Sequence, residues 1–508
     1  MILFLYLITA VIIAAYLKIR TAHSYWSKRG VKQLEPHWLL GNFKDVFFRR
    51  KSPAQFGVYL YREMKKLDLK YMGMYNFYEP ILVVRDLELM KLILIQDFNY
   101  FNDRGAFCNE KVEKHAGHIV NVKGERWKRF RKKLTPAFTS GKMKLMFETI
   151  AVRSSELIEM LTPYVESNEP VEMKDAFARF TSDILGTVAF GIDCNTMRVS
   201  DSEFRKYGDK LFERSVWTTM KRLFVPKLPP FVVTLFGLRL NNKEAIDFFW
   251  DVIQENVQYR EKNRVVKKDF LQMMIQLKNQ GDVGDDDGKY QKNCEDAFTL
   301  TEVIANSLVF YAGGFETSSS VSTFTLYELA VNQDVQDTLR SEINRVLEEH
   351  DGKMSYDAIQ KMTYLENAVY EGMRRHKATN FLVRKAESDY RVRGTDLVIE
   401  KGVSVWIPMS GFYEEEEYFP DPEKYDPDRF SEENKAKRPA MAFLPFGEGP
   451  RQCIGLRFGM LQDKVGIAAI IRNFRVTLNT KTLTPLEHDL ATFVPTPKGG
   501  VWLNFAKV

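Results

Sequence analysis

FGEGPRQCIG, from Phe446 to Gly455, sets one cysteine and one arginine among three glycines, and the apolar helical pattern LRFGMLQDKVGIAAIIRNF follows at once. Phe446, Gly449, Arg451, Cys453 and Gly455 stand in the spacing F-x-x-G-x-R-x-C-x-G. The glycines let backbone come close to something flat and wide. Cys453 is expected at a helix N-terminus, where backbone N–H groups and the helix dipole favour a thiolate. Arg451 adds positive charge two residues away.

A thiolate so placed has two common uses. As a nucleophile it needs a general base nearby, and no histidine or asparagine signature supplies one. As an axial ligand of haem iron it needs only the loop. A plain buried cysteine would not need five matched positions. The other cysteines, Cys108, Cys194 and Cys294, are far apart in sequence and form no C-x-x-C. That excludes a zinc cluster on spacing and suits a reducing compartment.

The chain has 508 residues, 45% of them hydrophobic, and no Gly/Ser-rich or Pro-rich linker. One large folded unit is expected behind a short N-terminal segment. ILFLYLITAVIIAAYL, Ile2 to Leu17, carries no charge, and Lys18, Arg20, Lys28 and Arg29 follow it. This reads as an uncleaved membrane anchor over 1–20, a basic, proline-containing hinge over 21–42, and a catalytic domain over 43–508 on the cytosolic side. A second apolar stretch, RLFVPKLPPFVVTLFGL from Arg222, reads equally as core or as a surface that dips into a membrane. The net charge of +6 is small for this length and accompanies no nucleic-acid motif. It suits a docking face for an acidic protein or an anionic membrane.

Strand patterns lie towards the two ends and helical patterns fill the middle. The fold class is mainly α with a small β region (α+β), not alternating βαβ. MGMYNFYEPILVVR, from Met72, reads as two strands around a Glu79-Pro80 turn. YRVRGTDLVIEKGVSVWIP, from Tyr390, alternates like one hairpin. LTEVIANSLVFYAGGFETSSSVSTFTLYELAVN reads as one long helix with Thr301 as N-cap. Its centre is odd: Gly313 and Gly314 are adjacent, and Glu316 and Thr317 interrupt an apolar pattern. In GERWKRFRKKL, Trp127, Phe130 and Leu134 share a face, and Arg131 stands four after Trp127.

Taken together these stretches resemble the cytochrome P450 superfamily, the haem-thiolate monooxygenases, over essentially the whole chain. The resemblance implies the cytochrome P450 fold, with Cys453 ligating the iron of haem b and Phe446 among the residues that bind the haem. It implies that Gly313 and Gly314 make room for dioxygen beside the haem, and that Thr317 and Glu316 handle protons. Trp127, Arg131, Arg384 and Arg451 would bind the haem carboxylates. Glu371 and Arg374 in E-x-x-R, with Arg429 in PDRF, would form a buried network that fixes the thiol loop. Relatives usually have a proline pair soon after E-x-x-R, and RRHKATN has none; Tyr413 stands where a histidine is common.

YWSKRGV, FNDRG, KLTPAFTSGKMKLMF and GGFETSS resemble insect microsomal members of the xenobiotic-metabolising branch. The implied substrates are lipophilic small molecules: xenobiotics, insecticides, plant toxins or endogenous lipids. Substrate contacts are expected in the Phe107 to Ile119 segment and at Phe310, Phe381 and Phe493. The implied partners are NADPH–cytochrome P450 reductase and cytochrome b5, docking on outward lysines and arginines of the Trp127 helix, with the protein in the endoplasmic reticulum membrane. Two other functions remain open here: a haem-thiolate isomerase or dehydratase without a reductase, and a non-catalytic membrane carrier of haem or lipid.

Overall fold

The computed structural model describes all residues except 1–5, 7–12, 14–15, 200, 213–214, 284–295 and 491–493. The expected anchor falls mostly outside the described residues, and no described helix is long and apolar enough to cross a membrane. Residues 21–42 pack against a sheet: Trp26 is buried and donates from its ring nitrogen to the Met74 carbonyl at 3.2 Å.

Helices dominate. Those that build the site are α1 (Pro53–Lys66), α2 (Gly124–Leu134), α3 (Ser140–Ser167), α4 (Met173–Leu185), α5 (Lys243–Asn263), α6 (Phe270–Asn279), α7 (Leu300–Val331), α8 (Gln333–Glu348), α9 (Thr363–Arg375) and α10 (Leu456–Asn473). Strands β1 (Tyr71–Asn76), β2 (Glu79–Val84), β4 (Leu382–Lys385) and β7 (Ser404–Ile407) form one sheet in the order β1-β2-β7-β4. β3 (Val171–Glu172), β8 (Phe474–Leu478) and β9 (Trp502–Lys507) form a second. β5 (Tyr390–Arg391) pairs with β6 (Val398–Ile399).

Three local expectations change. The first turn is at Phe77–Tyr78, because Glu79 and Pro80 already pair with Asn76 and Tyr75. The stretch from Tyr390 is not one hairpin: β5 and β6 pair with each other, whereas β7 joins β4 and β2. Alternation shows that a segment is half-buried, not which strand it meets. The N-cap of α7 is Thr299, not Thr301. Its hydroxyl accepts from Glu302 N–H at 3.2 Å and the Glu302 carboxylate accepts from Thr299 N–H at 3.1 Å, a reciprocal box that requires the threonine three residues before the glutamate.

α7 has 32 residues, about 48 Å at helical rise. It is buried along nearly its whole length, as expected of a helix apolar all round. It packs against α4, α9 and α10 and forms the spine on which the site is assembled.

Candidate functional site

The thiol loop holds itself by backbone bonds. Cys453 N–H donates to the Phe446 carbonyl at 2.9 Å and Gln452 N–H to the Gly449 carbonyl at 2.9 Å. Gly449 has φ +73, and a Cβ there would run into the Leu94 carbonyl, so only glycine fits. α10 starts three residues after Cys453. Arg451 closes the loop from outside its turn. Its Nε donates to the Asn102 carbonyl at 2.7 Å, Nη1 to Ile119 at 3.0 Å and Nη2 to Val122 at 2.7 Å, and its guanidinium lies 4.3 Å from the Trp127 ring centre.

Cys453 has exposed surface, but that surface faces a cavity of about 670 Å³ inside the protein. Burial pushes its thiol up, against the opposing pull of Gly455 N–H, Arg104 and Arg131. A thiolate-favouring field is therefore present but outweighed by desolvation, and its cations are Arg104 and Arg131 rather than the Arg451 expected from the sequence.

The cavity gathers most of the expected residues. Cys453, Phe446, Arg451, Trp127, Arg131, Arg384, Gly313, Gly314, Thr317, Ile119, Phe310 and Phe381 all line it. Phe310 stacks on Phe270 with centres 4.4 Å apart and meets Phe458 at 5.2 Å, so it is wall and core at once. Three expectations fall elsewhere. Phe107 lines a second chamber, as does Glu316, and Phe493 lies outside the described residues. Glu316 is turned away because neighbours on a helix point about 100° apart. Its carboxylate meets Lys174 Nζ at 3.3 Å.

Thr317 does face the cavity, and its hydroxyl donates back to the Gly313 carbonyl at 2.5 Å. The hydroxyl oxygen is left as an acceptor towards the cavity. The two glycines divide the work. A Cβ on Gly314 would press on Leu185 of α4 at 2.9 Å, whereas nothing stands within 4 Å of one on Gly313.

Arg104 was not singled out by sequence reasoning, although it sits in the quoted FNDRG. It lines the cavity and donates to the Arg451 carbonyl at 2.6 Å. Arg104, Arg131, Arg384 and Arg451 thus converge on one cavity, and no carboxylate of the described residues stands within 4.0 Å of any of them. Burial, then Arg104, pushes Arg384 down to about 9. Burial, then Arg104 and Arg384, pushes Arg451 down to about 9. Arg384 Nε is buried without a hydrogen-bond partner. Buried cations without counter-ions call for an anion.

Behind the loop, Glu371 takes Arg374 in a fork, Nε to Oε2 at 2.7 Å and Nη2 to Oε1 at 2.8 Å, and Arg429 Nε stands 3.3 Å from Oε1. Arg374 also donates to the carbonyls of Tyr413 and Pro422, both at 2.8 Å, and Arg429 to those of Pro420 and Asp421. The Tyr413 ring packs on Phe443 at 5.4 Å. In the RRHKATN stretch Lys377 takes φ +54, which a proline ring forbids, and its ammonium meets Glu414 at 2.8 Å.

A soft sulfur donor, an apolar slot wide enough for a flat macrocycle, and guanidiniums suited to pendant carboxylates all fit iron protoporphyrin IX. Such a fold and site define a haem-thiolate enzyme. The family model for cytochrome P450 matches residues 31–503. Cytochrome P450 6a2 of Drosophila melanogaster is 39% identical over 100% of both chains. Cytochrome P450 6A1 of Musca domestica is 37% identical, over 96% of this chain and 94% of its own. Cytochrome P450 6k1 of Blattella germanica is 35% identical, over 99% and 97%. The chain belongs to the cytochrome P450 family. It is a cytochrome P450 monooxygenase whose cofactor is haem b, held through a cysteine thiolate.

Proposed function

We propose that this monooxygenase inserts one atom of dioxygen into lipophilic small molecules, xenobiotic or endogenous, with electrons from NADPH delivered by a reductase and by cytochrome b5. The observation that carries it is the Cys453 thiol opening into an apolar cavity of about 670 Å³ across which Thr317 stands. When bound, haem supplies dioxygen activation at iron, with the Cys453 sulfur as axial donor. Arg104, Arg131 and Arg384 hold its carboxylates, while Arg451, spent on carbonyls, holds the loop. Thr317 positions a proton-bearing group through its free acceptor. Glu316, paired with Lys174, reaches the reaction only through water in the second chamber. Ile119 and Phe381 shape the apolar wall around the substrate.

Arg129, Lys133 and Lys128 of α2 are paired with Glu302 at 2.6 Å, Asp296 at 2.9 Å and Glu125 at 2.7 Å, so the reductase face rests on Lys132 and the exposed Lys128, narrower than the basic pattern suggested. The exposed side chains Phe231, Leu235 and Phe236, with Trp217 shortly before the stretch, favour the membrane-dipping reading of the second apolar stretch over core. They support a location at the endoplasmic reticulum membrane, with the N-terminal segment as anchor and the domain on the cytosolic side.

The test is turnover of a panel of lipophiles by the purified chain with reductase and NADPH. Product that depends on NADPH is expected. Product formed only from peroxides, without reductase, would favour an isomerase or dehydratase. Cys453→Ser is expected to abolish the thiolate signature of the carbon monoxide difference spectrum, and an unchanged Soret band would overturn the ligand assignment.

A further inference from the structure

The second chamber, about 560 Å³, adjoins the thiol cavity; Ala106 and Val309 line both. Its wall is more polar, and Glu113 is its unusual member. The side chain is 6% exposed. Its Oε1 accepts from Asn241 N–H at 3.0 Å and from the Asn241 side-chain amide at 3.1 Å. Among the described residues no donor reaches Oε2.

The neighbouring groups leave that charge uncompensated. The Asn241 amide nitrogen also stands 3.0 Å from His115 Nε2. The amide cannot be turned over, because its oxygen would then face Glu113 Oε1. His115 Nε2 must therefore accept, and an imidazole that accepts is neutral. Burial also pushes His115 below its ordinary range, and His118, the second imidazole on the wall, down to about 3. Glu316 holds Lys174, Arg222 has a partner of its own, and Arg239 and Asp247, which act on His115 with opposite signs, are not within ion-pair distance of Glu113. Among the described residues the one ionisable nitrogen within ion-pair distance of Glu113 is therefore that of neutral His115, 3.9 Å from Oε1, and a buried carboxylate with one bare oxygen and no cation in reach favours a positive ligand.

We propose that this chamber takes the cationic nitrogen of a lipophilic amine, charge towards Glu113 Oε2, while the apolar end of the same molecule reaches the thiol cavity. The inference rests on the monooxygenase reading and names the substrate class of that site.

Equilibrium binding of decyltrimethylammonium, 1-decanol and decanoate to the purified haem-loaded chain, below their micelle concentrations, tests it. The quaternary nitrogen has no lone pair, so it cannot ligate iron. The cation is expected to bind about tenfold more tightly than the alcohol, with the carboxylate weakest. Glu113→Gln keeps an acceptor for Asn241; it is expected to bring the cation to the level of the alcohol while leaving the alcohol within about twofold. Equal binding of cation and alcohol by the unsubstituted chain overturns the proposal, and so does a cation preference that survives Glu113→Gln. The order of the three probes on the unsubstituted chain decides the matter even if the variant fails to fold. A chain that shows the predicted cation preference without a thiolate-haem spectrum would keep the amine site and remove the monooxygenase reading beneath it.

Discussion

Two adjacent glycines carry opposite instructions. Gly314 is where α7 touches α4, and a methyl group there would overpack against Leu185. Gly314→Ala is expected to destabilise the fold by about 1–3 kcal/mol. Gly313 faces open cavity, so Gly313→Ala is expected to gain up to ~1 kcal/mol of helix propensity while narrowing the space near Thr317. Urea unfolding of the two variants reads both signs; equal destabilisation would show that the cavity-side glycine is also structural. The sequence marked this pair as odd but could not say which member packs, because the answer lies on a helix far away in the chain. Thr317→Ala is expected to retain haem and reduce product formed per NADPH consumed, by about 10-fold or more if the hydroxyl positions a proton donor. Matched product and NADPH assays check it.

At the scale of elements, two polar contacts decide how helices meet. Glu371 and Arg374 are fully buried and fork within α9; what ties α9 to the segment that carries Arg429 is Glu371 Oε1, which stands 3.3 Å from Arg429 Nε and accepts from Asp426 N–H at 3.0 Å. Glu371→Gln leaves two guanidiniums without a carboxylate, an expected loss of ~3–5 kcal/mol in an unfolding measurement. The second contact joins α7 to α10. Asp463 lines the thiol cavity, accepts from the Ser322 hydroxyl at 3.0 Å and has no cation partner among the described residues. Burial pushes its carboxyl well above the ordinary aspartate range, although Ser322 and Ser318 pull it down. A pKa raised in the folded state gives stability that is complete below the unfolded value, about 3.9, and is lost as pH rises towards the folded one. Stability is therefore expected to fall as pH rises above about 4, by up to ~1.4 kcal/mol per pH unit from this group. Asp463→Asn should flatten that slope, as urea midpoints across the range would show. E-x-x-R could be found from the sequence because both partners sit one turn apart; Asp463 could not, because its partners are on another helix and nothing in LQDKV marks it as buried.

Across the whole molecule, apolar surface is distributed unevenly. Trp217, Phe231, Leu235 and Phe236 are each about 70% exposed. Phe224, from the stretch that holds the last three, meets Phe77 at 5.3 Å, which brings this face beside the N-terminal part of the chain. Replacing the four exposed residues by serine is expected to lower sedimentation of the chain with liposomes while shifting the unfolding midpoint little, since exposed positions contribute small stability terms. A large loss of stability would return the stretch to the core. From the sequence alone, core and membrane surface were equally good readings, because both need only apolar residues and prolines that end helices.

The sequence by itself determined whatever depends on neighbours close along the chain. The thiol loop, the E-x-x-R fork, the face shared by Trp127, Phe130 and Leu134, and the α-rich class with a small β part all rest on spacing of a few residues. Tertiary structure decided which way each polar group points once distant segments meet. It turned Glu316 to Lys174, spent Arg451 on the carbonyls of another loop, brought Arg104 into the ring of cations and left Glu113 with a bare oxygen. The reason is physical: local periodicity fixes the backbone, but the partner of a buried charge is whatever the fold brings within hydrogen-bond reach.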